Sequence, residues 1–237
     1  MTRLKRVAHA EELLDQPAQD PAELEAALNH VAQVNALLGG VRGLIRALDR
    51  HRRESSLEVL DVGTGSAAMP RALVRWARRK RIPIRVRATD VNPEMLEIAR
   101  RNCADYPEIT LEPADALDLQ YPDRSFTHAL MTLTLHHFEE AQQTTVLRQL
   151  ARVSREAAIV SELERSWPNY LGARVLAATW WRRNRLTRHD GPLSVLRAFT
   201  PAELLAAARA AGVETVELRR AFFYRLTLVL APAAELN

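Results

Sequence analysis

Cysteine is almost absent: Cys103 is the one example in 237 residues. That excludes an intramolecular disulfide and any zinc site built from cysteines, and no metal ligand set is expected in its place. Long hydrophobic runs are missing as well. No uninterrupted apolar stretch has the roughly 20 residues that cross a bilayer, and Met1 to Asp15 alternates charged and apolar residues instead of carrying a signal-peptide core. The expectation is a soluble, cytoplasmic protein without a membrane span. A strong field of one sign is missing too. The 33 Lys and Arg against 29 Asp and Glu leave a formal charge of only +4. The pI near 9.7 therefore reflects abundant arginine, and nucleic acid is not an expected partner. There is no internal repeat and no low-complexity linker. What is present, 47% hydrophobic and 26% charged residues, is the composition of an ordinary globule, long enough for one sizeable α/β domain with an appendage.

The stretch that organises the chain is Leu57-Glu58-Val59-Leu60-Asp61-Val62-Gly63-Thr64-Gly65-Ser66-Ala67. An apolar run ends in an acid, two glycines follow at alternate positions, and a helical pattern starts. Such a run predicts a buried parallel strand, a tight turn and a helix N-terminus. Glycine at 63 and 65 leaves room for a ligand beside the main chain, and the helix directs free N–H groups at it. Gly63-x-Gly65-x-x-Ala68 satisfies a loose dinucleotide fingerprint. Asp61, however, stands two residues before the first glycine, where its charge opposes a pyrophosphate and suits a cation.

Ahead of this strand, Asp20-Pro21-Ala22-Glu23 has the order of an N-cap, a Pro at N1 and a capping-box acid. Leu24, Ala27, Leu28, Val31 and Leu38 follow at helical spacing. Gly39-Gly40 breaks this helix, and Val41, Leu44, Ile45 and Leu48 mark a second one. These two helices form an expected N-terminal cap, residues 1–54, before a main domain at 55–237. Asn35 reads as a satisfied structural amide. After the glycine loop, the arginines at 71, 75, 78 and 79 read as a solvated helix face. Ile84, Val86 and Ala88 alternate with polar residues in a strand that ends at Asp90, and Asn92-Pro93 caps the next helix. Ile109 to Glu112, Phe126 to Leu133 and Ala157 to Glu162 are the third, fourth and fifth strands, with a helix from Glu139 to Val153. Residues 163–199 are a helical insertion rich in Trp, Tyr and Arg. Thr200-Pro201-Ala202-Glu203 starts another helix, and Val213 to Leu218 and Phe222 to Leu230 close the chain as a strand pair.

An acid at the end of the second strand lies where a carboxylate accepts ribose hydroxyls. Asp90 therefore supports an adenosyl ligand without separating nicotinamide cofactors from others. The order of the acid-glycine loop, strand-Asp90, Asp115-Ala116, Pro122-Asp123-x-Ser125-Phe126 and Leu135-His136-His137-Phe138 resembles the class I S-adenosylmethionine-dependent methyltransferases. The nearest branch is the ubiquinone/menaquinone-methyltransferase-like one, and the resemblance covers roughly residues 57 to 162. Ala67 departs from it, standing where the family has a third glycine. The resemblance implies a three-layer, Rossmann-like α/β fold. Its seven-stranded sheet is mostly parallel, with an antiparallel C-terminal hairpin. It also implies S-adenosyl-L-methionine as cofactor and a small-molecule methyl acceptor. By the same resemblance the cofactor-binding residues are Asp61, Gly63, Thr64, Gly65, Asp90, Val91, Met95, Asp115, Ala116 and Thr132. Asp115 and Ala116 meet the adenine, Val91 packs on it, and Thr132 faces the methionine end.

Methyl transfer from a sulfonium asks the protein for alignment and, with a hydroxyl acceptor, for a base. His136, His137 and His189 are the candidates, since imidazole titrates near neutrality. The expected reaction is O-methylation of a phenolic, polyketide-like or isoprenoid compound. Two alternatives stay open. A nicotinamide-dependent oxidoreductase is opposed by Asp61 and by the lack of a Tyr-x-x-x-Lys sequence. An RNA methyltransferase is opposed by Thr132-Leu133-Thr134-Leu135, which stands where an Asn/Asp-Pro-Pro-aromatic motif belongs.

Overall fold

The computed structural model describes residues 4–7, 10–17, 19–221 and 223–233. Phe222, expected to begin the last strand, lies outside them. Seven strands form one sheet in the order β3-β2-β1-β4-β5-β7-β6. They are β1 (Leu57–Val62), β2 (Ile84–Asp90), β3 (Ile109–Pro113), β4 (Phe126–Thr132), β5 (Ser154–Leu163), β6 (Thr215–Ala221) and β7 (Arg225–Leu230). The first five pair in parallel, and β7 runs antiparallel to both β5 and β6. The strand order reverses between β1 and β4, so a crevice opens at their carboxyl ends, the place where open α/β sheets bind ligands.

Strand residues alternate between two cores. Leu57 and Val59 of β1, Leu130, Ile159 and Val229 pack with α2 (Gly40–His51) and α3 (Ala68–Lys80) on one face. Leu60 and Val62, Met131, Val160, Leu226 and Leu228 face α5 (Glu140–Val153) and α8 (Pro201–Ala210) on the other. This two-faced burial explains why the central strands read as continuous apolar runs.

Leu44, Ala47 and Leu48 of α2 are buried against β1, β5 and β7, so α2 packs directly on the sheet. A helical apolar face predicts burial but not the surface that covers it. The first helix, α1 (Pro21–Leu37), instead packs through Leu24 and Ala27 on α4 (Pro93–Asn102) and on Leu186 of α7 (Arg185–Arg197). Asp20 caps α1 by accepting the Glu23 N–H at 2.8 Å. The Glu23 carboxylate reaches across and accepts the Arg185 N–H at 2.8 Å, joining α1 to α7. The insertion after β5 is a helical pair, α6 (Trp167–Ala178) and α7. Trp181, between them, is buried against Val34 and Ala177, whereas Trp167 and Trp180 are 38% and 47% exposed. Among the described residues, no helix is long and apolar enough to cross a membrane.

Candidate active site

The glycine loop is fastened to the end of β2. Thr64 N–H donates to the Thr89 carbonyl at 2.9 Å, Gly65 N–H to Asp90 Oδ2 at 2.8 Å, and Thr89 Oγ1 to the Asp61 carbonyl at 3.2 Å. Gly63 has φ +72°, and a Cβ there would lie 2.6 Å from the Thr134 side chain, so a larger residue both strains the turn and collides with the segment after β4. Ala67 has φ +55°. This left-handed conformation is the one that suits the family's glycine at that position, and the Ala67 methyl is buried against Ala99 and Cys103. Leu133, at the end of β4, is also left-handed at +54° and gives its N–H to the Ser161 carbonyl at 2.8 Å.

Above the loop lies a cavity of about 1050 Å³. Its lining includes every residue expected to bind cofactor: Asp61, Gly63, Thr64, Gly65, Asp90, Val91, Met95, Asp115, Ala116 and Thr132. It also includes His136 and His137 but not His189. His189 is half-exposed, with Nδ1 2.7 Å from Asp190 Oδ1, and stands outside the cavity lining. Asp190 itself lines the cavity and accepts the N–H groups of Leu13 and Leu14, both at 2.9 Å. It thereby ties down an N-terminal segment that roofs the site, a role no local pattern announces. Asn35 corrects a further expectation: its buried Oδ1 has no hydrogen-bond partner, and the residue lines the cavity.

Asp61 is fully buried, and Oδ1 has no hydrogen-bond partner. Burial, reinforced by the charge of Asp90, pushes its carboxyl up to about 7. A buried carboxyl that keeps one oxygen without a partner, with the Thr64 side chain favouring its charge, is an energetic liability unless a cation arrives. Asp90 accepts from Gly65 at 2.8 Å and from Asn92 N–H at 3.0 Å, which leaves acceptor capacity on the same oxygens. Burial raises its pKa as well. Asp115 uses Oδ1 for the Leu117 N–H at 2.8 Å and is otherwise exposed at the rim.

The two histidines after β4 differ in kind. His136 is buried, with Nδ1 2.8 Å from Glu162 Oε2 and Nε2 3.6 Å from Glu12 Oε1. Burial alone lowers its pKa, but the two carboxylates outweigh burial and hold it at about 10. Reciprocally, Glu12 lies at about 2 against the cost of its own burial. The two carboxylates thus favour the charged imidazolium, which counts against His136 as a proton acceptor. The ligand atoms of Glu12, His136 and His137 lie within 4.8 Å of one another; a protonated ring between two acids already balances that cluster. Arg197 fixes the turn by donating to the carbonyls of His136 at 3.3 Å, His137 at 3.1 Å and Ala10 at 2.6 Å. His137 is half-buried, with Nδ1 2.7 Å from Asp15 Oδ2. In the tautomer that donates to Asp15, Nε2 is left as the acceptor.

A family profile described as "Methyltransferase domain" matches residues 59–157. The demethylmenaquinone methyltransferase of Tropheryma whipplei (strain Twist) is 32% identical over 130 residues, 51% of this chain and 51% of that protein. Residues 59–157 of the chain are thus similar to a methyltransferase domain. The chain spans about half the length of the curated relatives it matches. Among solved structures, a SAM-dependent methyltransferase from Aquifex aeolicus superposes with TM-score 0.65 at 18% identity, covering 90% of this chain and 98% of that one. The magnesium protoporphyrin IX methyltransferase of Synechocystis PCC 6803, solved with bound SAH, gives 0.58 at 14% identity over 93% and 91%. At such identities these likenesses show the fold alone. The cavity fits S-adenosylmethionine on its own chemistry. A buried carboxyl with an unpartnered oxygen stands at the loop, an acid ends β2, and a Cβ on Gly65 would meet nothing closer than Leu28 at 3.7 Å.

Proposed function

We propose that the protein transfers a methyl group from S-adenosylmethionine to an oxygen of a small, largely apolar acceptor such as a phenolic, polyketide-like or isoprenoid compound. The observation that carries this reading is the continuity of the cavity. One space of about 1050 Å³ runs from the glycine loop to walls supplied by α1, α6 and α7, including Leu176, Val195 and Trp181. That volume sits at the top of the range for a single ligand pocket and suits a cofactor with an acceptor beside it. The roof supports a small molecule over a polynucleotide, and the demethylmenaquinone methyltransferase relatives favour the same class.

In this reading Asp90 accepts ribose hydroxyls, Val91, Asp115 and Ala116 surround the adenine, and Asp61 receives the ammonium of the methionine moiety. Met95 packs beside Val91, and the Thr132 backbone lies at the methionine end. The cofactor supplies an activated methyl carbon; the protein aligns it and excludes water. His137 takes the acceptor hydroxyl proton on Nε2, while Asp15 holds the ring through Nδ1. Cytoplasmic location and action without a nucleic-acid partner belong to the same proposal. Calorimetric titration with S-adenosylhomocysteine, followed by an assay of its release over a panel of hydroxylated aromatic and isoprenoid compounds, tests the reading. Tight binding of NAD with none of S-adenosylhomocysteine refutes it.

A further inference from the structure

Arg225 opens β7 and is 3% exposed. It pairs with Leu163 on β5 and with Ala221 on β6, so it sits inside the sheet at the carboxyl edge and not at its flank. Its Nε and Nη1 are buried without a hydrogen-bond partner, and the residue lines the cavity. Arginine cannot shed its charge to escape burial, so an unsatisfied guanidinium here is a cost that a ligand relieves. Glu162 is the acid whose charge acts on it. The Glu162 oxygens are occupied by the His136 backbone N–H at 3.3 Å, the His136 ring at 2.8 Å and the Leu163 N–H at 3.3 Å. His136 already balances that carboxylate. Burial lowers the Arg225 pKa to about 10, as expected of a cation whose charge is left without a partner.

The hairpin tip before Arg225 is built at a cost as well. Phe223 and Tyr224 have φ of +56° and +58°, left-handed values that bulky residues avoid. Both line the cavity, so the turn delivers two aromatic side chains and the guanidinium to one wall. This wall is not the cofactor end. In the sheet order, β7 lies three strand spacings from β1, roughly 14 Å at ~4.8 Å each.

We propose that Arg225 is the acceptor's recognition group, and that the acceptor is an apolar molecule carrying an oxyanion, most simply a carboxylate, seated on the Arg225 guanidinium. Planar, bidentate pairing is what a guanidinium offers a carboxylate, and the apolar lid then covers the remainder of the molecule. This deepens the methyltransferase reading and rests on it, because it assigns the part of the cavity beyond the cofactor to substrate.

The test uses the full chain loaded with S-adenosylhomocysteine and three acids, benzoate, 2-naphthoate and dodecanoate, each compared with its methyl ester by calorimetry and thermal shift. The expected result is that at least one acid binds about 10-fold or more tightly than its ester. Arg225→Gln abolishes that preference, and Arg225→Lys keeps part of it. S-adenosylhomocysteine affinity stays unchanged in both variants. Acids that bind no better than their esters to the wild-type protein overturn the proposal, and that comparison needs no variant to fold. A preference that survives Arg225→Gln overturns it too. A large loss of S-adenosylhomocysteine affinity in Arg225→Gln assigns the arginine to the cofactor carboxylate and overturns it as well. If S-adenosylhomocysteine does not bind the wild-type protein at all, the methyltransferase reading fails separately, and the acid-against-ester comparison is read on the protein alone.

Discussion

Replacing Asp61 by asparagine separates what this residue does for the cofactor from what it costs the fold. A carboxyl moved from 3.8 to about 7 by burial corresponds to roughly 4 kcal/mol of native-state free energy, as an order of magnitude. The sign follows from linkage. The folded pKa lies above the unfolded one, so the contribution favours the fold below pH ~4 and is lost as pH rises through 7. Between pH 5 and pH 8 the loss is roughly 2–3 kcal/mol. The amide introduced by Asp61→Asn does not titrate and has no such slope, although it also lacks partners and costs ~1–3 kcal/mol at every pH. The melting-temperature difference between Asp61→Asn and the wild type, both without cofactor, should therefore shift in favour of the variant by roughly 5–10 °C from pH 5 to pH 8. Subtracting the two proteins at each pH cancels the titrating groups that Asp61 does not interact with, Asp90 being the coupled neighbour. Over the same range the wild type should bind S-adenosylhomocysteine more tightly as pH rises, because the ionised carboxylate receives the ammonium. Asp61→Asn should bind it about 10-fold or more weakly at pH 8. A pH-independent stability difference refutes the burial argument, and unchanged affinity refutes the ammonium assignment.

Three further outcomes are expected. Asp90→Asn keeps an acceptor for the Gly65 N–H but should weaken S-adenosylhomocysteine by ~1.5–3 kcal/mol in calorimetry, with the melting point little changed. The two histidines should part company. His136→Gln leaves Glu12 and Glu162 buried without their counter-charge and should cost about 3–5 kcal/mol in denaturant unfolding. His137→Gln should instead lower turnover ~100-fold or more with cofactor affinity intact; normal turnover in that variant removes the base assignment. Finally, a Cβ on Gly191 would lie 2.4 Å from Trp181. Gly191→Ala should therefore loosen the α6–α7 pair, at ~1–3 kcal/mol, with hydrogen exchange rising across that pair and not in β1 or β4.

The cofactor end was legible because its parts are local. Asp61, Gly63 and Gly65 sit within one strand and turn, and Asp90 ends the next strand, so spacing alone places them together. The mostly parallel seven-stranded sheet, with its last strands antiparallel, was what the family resemblance implied. The acceptor end was not legible, because its parts meet only in three dimensions. Glu12 is far in sequence from His136, yet it is one of two acids that favour the charged form of His136. Asp190 reads as a partner for His189 until Leu13 and Leu14 are seen on it. One signal was available. Glu162 and Arg225 break apolar runs where strands meet the carboxyl edge, in the manner of Asp61 and Asp90.

Those four residues also show how the empty protein is arranged for binding. At one end of the cavity Asp61 keeps a carboxyl oxygen without a partner, and at the other Arg225 keeps two guanidinium nitrogens without one. The strand spacing keeps them from neutralising each other. The charges between them are already balanced, His136 by Glu12 and Glu162, and Glu12 also by the nearby Arg197 guanidinium at 4.0 Å. Stability alone does not select this layout, since apolar residues at 61 and 225 would remove both desolvation costs. On the proposed reading each end is completed by a ligand charge of opposite sign, an ammonium over the glycine loop and an oxyanion at Arg225. The strain at Leu133, Phe223 and Tyr224 falls on the rims of these two ends and is absent from the central strands. Binding at either end should then raise the melting point more than contact area alone accounts for, because it also cancels a cost that the folded chain bears while empty.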